Sequence, residues 1–258
     1  MTPRLLRGII IGIAITLTAA SCRAQQKEQQ EIATAFMLPA CIDSTAVVHH
    51  HAYSLEYSEA DEQARWVAYM LCRSRADGPY SRKSTPGCQF HADDAIRTQS
   101  ATPADYKGSG YSRGHLVPAA DMKWDSLAQV ETFLLSNISP QRDSFNSGVW
   151  NRMEMQVRRW AEQYDTLYIV TGPLLADGGS GRIGGNRVTV PTAFYKAIYI
   201  PALHQAVGFL IPHEKSKAKL NTFAMTLDEL EKKTNIDFFA GMEDEEAIEA
   251  SMEWVEVN

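Results

Sequence analysis

The sequence predicts an α+β domain built on a mixed or antiparallel sheet, and three observations carry that expectation. Short strand-like runs follow one another with turn residues between them. Few segments keep a helical period. Strand and helix do not alternate strictly, as a doubly wound parallel fold requires. The chain has 258 residues, 45% hydrophobic and 22% charged, which suits one large domain once a leader is removed.

In chain order, "MTPRLLRGIIIGIAITLTAASCRAQQ" has the layout of a secretory signal over residues 1–24. Arg4 and Arg7 precede an apolar run from Gly8 to Ala20, shorter than the ~20 residues that span a bilayer. Two cleavage readings stand open. Cys22 after "TAAS" resembles the lipidated cysteine of a bacterial lipoprotein signal, although Ala19 stands where such signals usually carry Leu. Cleavage after Ala24 is the competitor. Either predicts export, as an outer-membrane or cell-surface lipoprotein or as a secreted or periplasmic protein. The only membrane contact expected is a lipid on Cys22.

Residues 25–45 begin polar and Gln-rich and read as a flexible arm; residues 46–242 read as the folded domain, and 243–258 as an acidic tail. Within the domain, "AYSLEYS" (52–58) and "ARWVAYMLC" (64–72) predict a hairpin around "EADEQ". Residues 73–110 are rich in Gly, Pro, Ser and Asp and predict irregular structure. A short helix is expected within 125–137, and the clearest one over 147–164, where Val149, Met153, Val157 and Trp160 form an apolar stripe. Strands are expected at 166–173, 190–200 and 205–212, with "GGNR" (184–187) as a hairpin turn. Thr226 and Glu229 make a capping box that opens a helix over 226–235.

Cys41, Cys72 and Cys88 remain after the leader, so at most one internal disulfide can form, with Cys72–Cys88 a candidate pair. The "HHH" at 49–51 alternates faces in an extended segment and predicts surface or turn-flanking residues rather than a metal site. The net charge is −6, so binding to a nucleic acid requires a local basic patch on an acidic body.

The chemistry concentrates in "GYSRGHLVPAADM" (110–122) and the stretch after it. Taken alone, His115 beside Arg113 is either a buried imidazole at a strand end or a proton-transfer group next to a phosphate-binding cation. Downstream stand Asn137, Asn146 and Glu154. On a helix beginning near Asn146, Trp150 and Glu154 fall within about 80° of one face. Asn146 then stands at the helix start, with Glu154 two turns along. An amide oxygen with nearby carboxylates suffices for a hard cation such as Mg²⁺, which keeps several waters. A histidine base, an arginine clamp and an oxygen-ligated cation together point to phosphodiester hydrolysis. Asn137 also reads as closing the Asn-Ile-Ser-Pro turn, and Glu154 as pairing with Arg158 four residues on.

"YSLEYSEADEQARWVAY", "ADYKGSGYSRGHLVPAADM", "FLLSNISPQRDSFNSGVWNRMEMQVRRWA", "YIVTGP" and "TNIDFF" occur in order from Tyr53 to Phe239. In these motifs the chain resembles the DNA/RNA non-specific endonuclease family, with its ββα-metal core and Asp-Arg-Gly-His motif. The resemblance implies a metal-dependent hydrolase that cuts DNA and RNA with little sequence preference. It implies Mg²⁺, or Mn²⁺ or another divalent cation, as cofactor. By position it makes His115 the general base and Asn146 the metal ligand. Arg113, Asn137 and Glu154 take the supporting catalytic places. Ser112 stands where the family motif has Asp, which implies weaker metal affinity or slower turnover. Arg82 is nearest in context to a second family arginine that binds substrate. The alternative is an exported nucleic-acid-binding protein with reduced or lost nuclease activity, motivated by Ser112 and the acidic charge.

Overall fold

The computed structural model describes residues 38–40, 43–175, 178–240, 242 and 244–251. The signal, Cys22, Cys41 and most of the polar arm fall outside them, as does the end of the acidic tail. β1 (Val47–His49), β2 (Tyr53–Ser58) and β3 (Gln63–Cys72) form an antiparallel meander, with the expected hairpin between β2 and β3. β2 is buried along its whole length, and the Trp66 indole donates to the buried Glu56 carboxylate at 2.8 Å. The irregular stretch that follows holds a 3-10 turn (Arg73–Arg75) and one short α-helix, α1 (Pro103–Tyr106).

β4 (Ser112–His115) comes next, then α2 (Ser126–Glu131), whose first amides are capped by Asp125. β5 (Ile138–Gln141) pairs antiparallel with β4, placing Ser112 opposite Gln141 and His115 opposite Ile138. The helical segment after it departs from the regular helix expected over 147–164. It starts as one turn, α3 (Asp143–Phe145), widens into a π turn over Asn146–Trp150, and runs on as α4 (Asn151–Tyr164). Gly148, at φ −99° and ψ −108°, makes the kink. The apolar stripe survives it: Val149, Met153, Val157 and Trp160 are all at most 2% exposed.

β6 (Thr166–Leu174) leads to a small hairpin, β7 (Arg182–Ile183) and β8 (Val188–Thr189), turned at Gly184 as the sequence predicts. β9 (Ala193–Ile200), β10 (Gln205–Pro212) and β11 (Ala224–Met225) follow. The chain then forms α5 (Leu227–Thr234), opened by the Thr226–Glu229 capping box, and α6 (Glu245–Glu249).

The main sheet has the order β1-β2-β3-β6-β9-β10-β11, with every pair antiparallel. α4 packs on β3 and β6, and α5 on β10. Every residue of β9 is buried, which requires cover on both faces of the sheet at its middle. Stacked on this body, β4, β5 and the segment that starts with α3 form a ββα unit.

One expectation needs correction, and one is refined. Cys72 and Cys88 are both free, Cys72 in contact with Ser74 and Cys88 buried, so they do not form the candidate disulfide. In the histidine run, His50 takes the turn-flanking place rather than a surface one: its amide donates to the Tyr53 carbonyl between β1 and β2, and its side chain, 7% exposed, bonds Asp93 at 3.0 Å. No helix among the described residues is long and apolar enough to cross a membrane.

Candidate active site

Alternation along β4 sends Arg113 and His115 to the same side of the small hairpin. The glycine between them is a packing requirement. A Cβ at Gly114 would stand 2.1 Å from the Gln141 side chain on β5, so only glycine lets the two strands close here. Asn137 locks the stretch after His115: its Oδ1 accepts from the Val117 amide at 2.9 Å, and its Nδ2 donates to the Val117 and Thr132 carbonyls. Asn137 is fully buried with its amide committed to backbone, and it is not among the residues lining the cleft.

His115, Arg113, Ser112 and Asn146 meet at a cleft of about 710 Å³, and Arg82 reaches it from the irregular segment. Lys107, Tyr106, Tyr111, Phe90 and Pro103 complete the lining. Three cations therefore face this space, with the Asp143 carboxylate at its edge on Ser112. That supplies the local positive patch that a polyanion needs on a chain of net charge −6.

Two phenylalanines organise the charges. The Phe90 ring carries the Arg113 guanidinium at 4.5 Å and that of Arg82 at 5.2 Å. The Phe133 ring meets the His115 ring edge-on at 5.2 Å. Burial among these rings, and then the positive charge of Arg82, push the His115 pKa down to about 4. The imidazole is accordingly neutral at pH 7 and able to accept a proton. Its Nε2 is buried without a hydrogen-bond partner among the described residues, so Nδ1 is the nitrogen left to meet the cleft.

Replacing Arg82 should reveal its electrostatic part directly. Without that charge the protonated imidazole is less disfavoured and its pKa rises. In Arg82→Gln the acid limb of the kcat/KM–pH profile is expected to move toward neutral pH, alongside any loss of rate. A limb that stays in place would show that His115 does not feel this charge.

Asn146, the first residue of the π turn, lines the cleft. It is held from behind: the neighbouring Arg142 amide donates to His213 Nε2 at 2.7 Å, while His213 Nδ1 donates to the Pro191 carbonyl at 2.9 Å. Both bonds require neutral His213, and burial lowers its pKa accordingly. Ser112 donates its hydroxyl to Asp143.

Glu154 does not share the cleft. The π turn with its kink at Gly148 lies between it and Asn146. It stands instead beside the buried Lys196 and the Asp121–Arg158 pair, which is closed at 2.7 Å and joined by the Tyr69 hydroxyl. Arg158 thus bonds Asp121. Burial raises the Glu154 carboxyl and lowers the Lys196 ammonium, while each one's charge favours ionisation of the other. Lys196 also lies 4.6 Å from the Trp150 ring. Lys196 lies inside the apolar run "AFYKAIYI", where a lysine is a legible sign of a buried charge. Phe90 and Lys107 carried no such signal.

The donors at the cleft suit a hard cation. Asn146 offers an amide oxygen, and Ser112, which also lines the cleft, carries the Asp143 carboxylate on its hydroxyl. The three-carboxylate group Asp228, Glu231 and Glu249 lies elsewhere, on α5 and α6.

The family model for DNA/RNA non-specific endonucleases matches residues 36–245. The chain belongs to the DNA/RNA non-specific endonuclease family. It is 32% identical to the mitochondrial nuclease EXOG of Xenopus laevis over 93% of this chain and 74% of that one. It is also 32% identical to the nuclease of Serratia marcescens, over 94% and 92% respectively. Against bovine mitochondrial endonuclease G the identity is 39%, over 58% of this chain and about half (53%) of that one. A crystal structure of an EndoG/EndoGI complex superposes with a TM-score of 0.73 at 29% identity, covering 82% of this chain and 91% of that one. As a member of the endonuclease family, the chain is a divalent-metal-dependent hydrolase.

Proposed function

We propose that residues 46–242 cleave phosphodiester bonds in DNA and RNA at the cleft between β4 and the π turn. The observation that carries this reading is the cleft's lining: three cations, one unprotonated imidazole and one amide oxygen with no other bond among the described residues.

His115 takes the proton of the attacking water on Nδ1, since Nε2 is buried. Arg113 grips a non-bridging phosphate oxygen through its guanidinium fork, and Arg82 and Lys107 add charge along the strand. Asn137 acts indirectly, by fixing the backbone that carries His115. Glu154, with Lys196 and Asp121, anchors the helix behind Asn146. Asn146 holds a divalent cation, Mg²⁺ or Mn²⁺, through its amide oxygen. That ion, when bound, supplies charge that stabilises the phosphate and the leaving oxygen. Contacts of this kind read backbone rather than bases, which accounts for little sequence preference.

A supercoiled plasmid and a structured RNA, each incubated with Mg²⁺ and with EDTA, test this. Nicking of both in Mg²⁺ alone is expected. Retention of nucleic acid without any cleavage would reverse the reading in favour of a binding protein.

The site acts outside the cytoplasm, tethered by a lipid on Cys22 or released after Ala24. The N-terminal signal pattern supports export. The mass of the mature N-terminus decides between the two, and a mature chain that keeps Met1 would refute export altogether.

A further inference from the structure

We propose that Asp143 supplies, from the segment after β5, the carboxylate that β4 lacks at Ser112. The proposal rests on the reading of Asn146 as the cation's ligand and extends it to a residue outside the motif.

Three observations converge on Asp143. Its carboxylate receives the hydroxyl of Ser112, a residue that lines the cleft with Asn146. It stands three residues before Asn146, one turn away on the same helical segment, a spacing at which side chains are neighbours. It is exposed, and no lysine or arginine forms an ion pair with it among the described residues. A carboxylate with no ion pair is therefore held by Ser112 one turn before an amide oxygen that has no competing bond among the described residues. A hard cation on Asn146 gains Coulomb attraction from it, and its water shell gains a hydrogen-bond acceptor. The serine contributes by orienting Asp143, as hydrogen-bonded outer groups commonly orient metal ligands.

This arrangement changes what position 112 can accept. Ser112→Asp alone sets two carboxylates in contact, and their repulsion opposes any gain in metal binding. The substitution is expected to help only when Asp143 gives up its charge.

Mn²⁺ titration of the full chain, followed by the EPR signal of the free ion, tests the proposal without measuring activity. Asp143→Asn should weaken binding by about tenfold, the lower end of what outer groups contribute. Ser112→Ala should weaken it less, in the same direction. The double variant S112D/D143N should recover most of the lost affinity. An unchanged Mn²⁺ affinity in Asp143→Asn, with Asn146→Ala clearly weakened, overturns the proposal and leaves the site reading intact. No change in either variant removes both. A double variant that binds no better than Asp143→Asn also overturns it, because the charge would then not be transferable. Asp143 is exposed and its amide is isosteric, so thermal melts of these variants should match the parent.

Discussion

His115→Ala is expected to lower the rate of plasmid cleavage by on the order of 10²–10⁴-fold, the usual contribution of a positioned general base. The loss should fall on kcat. The imidazole makes no hydrogen bond that the fold depends on, and its Nε2 is already without a partner among the described residues. Removing it exposes parts of the Phe133 and Phe90 faces but leaves Arg113 seated on Phe90. Substrate binding and Mn²⁺ affinity should therefore persist. Raising Mg²⁺ should recover nothing. If the variant instead loses its metal, His115 is a ligand and the assignment of roles is reversed.

The second large effect is expected at Asn146. Asn146→Ala removes the amide oxygen and should weaken metal binding by on the order of 100-fold, since even groups one step removed from a metal commonly cost 10–100-fold. Activity should fall at limiting Mg²⁺ and return in part at high Mg²⁺. The contrast with His115→Ala separates a proton acceptor from an ion holder in one pair of titrations. An Asn146→Ala enzyme with normal metal dependence would place the ion elsewhere.

Much of the fold could be read from the chain because its signals are local. The apolar runs that became β6 and β10 end in Gly-Pro or Pro, and the stripe of Val149, Met153, Val157 and Trp160 keeps its spacing across a whole helix. The π turn was not legible. A stripe averages over several turns, whereas the widening occupies five residues and depends on one glycine's dihedral angles. For the site, Arg113, His115 and Asn146 announced themselves through a motif, and all three line the cleft. Asn137 belongs to the same motif context yet bonds backbone at residues 117 and 132, a juxtaposition that no spacing rule reveals. Arg82 and Phe90 lie in a segment without period, so only the tertiary fold brings them to His115. Asp143 had no signal at all: its meaning comes from the Ser112 hydroxyl across the hairpin.

The π turn at Asn146 has a consequence for how this architecture can vary. In an uninterrupted α-helix each residue advances about 100°, so a ligand near the start and a packing stripe farther along are locked in phase. Re-aiming one rotates the other. The widened turn works like a universal joint in a drive shaft: it lets the first turn point one way while the rest of the helix keeps its own angle. Substitutions at the exposed Asp143, Ser144 and Ser147 can thus re-aim the first turn without disturbing Met153, Val157 or Trp160. Aim and anchorage are inherited as separate settings of one helix.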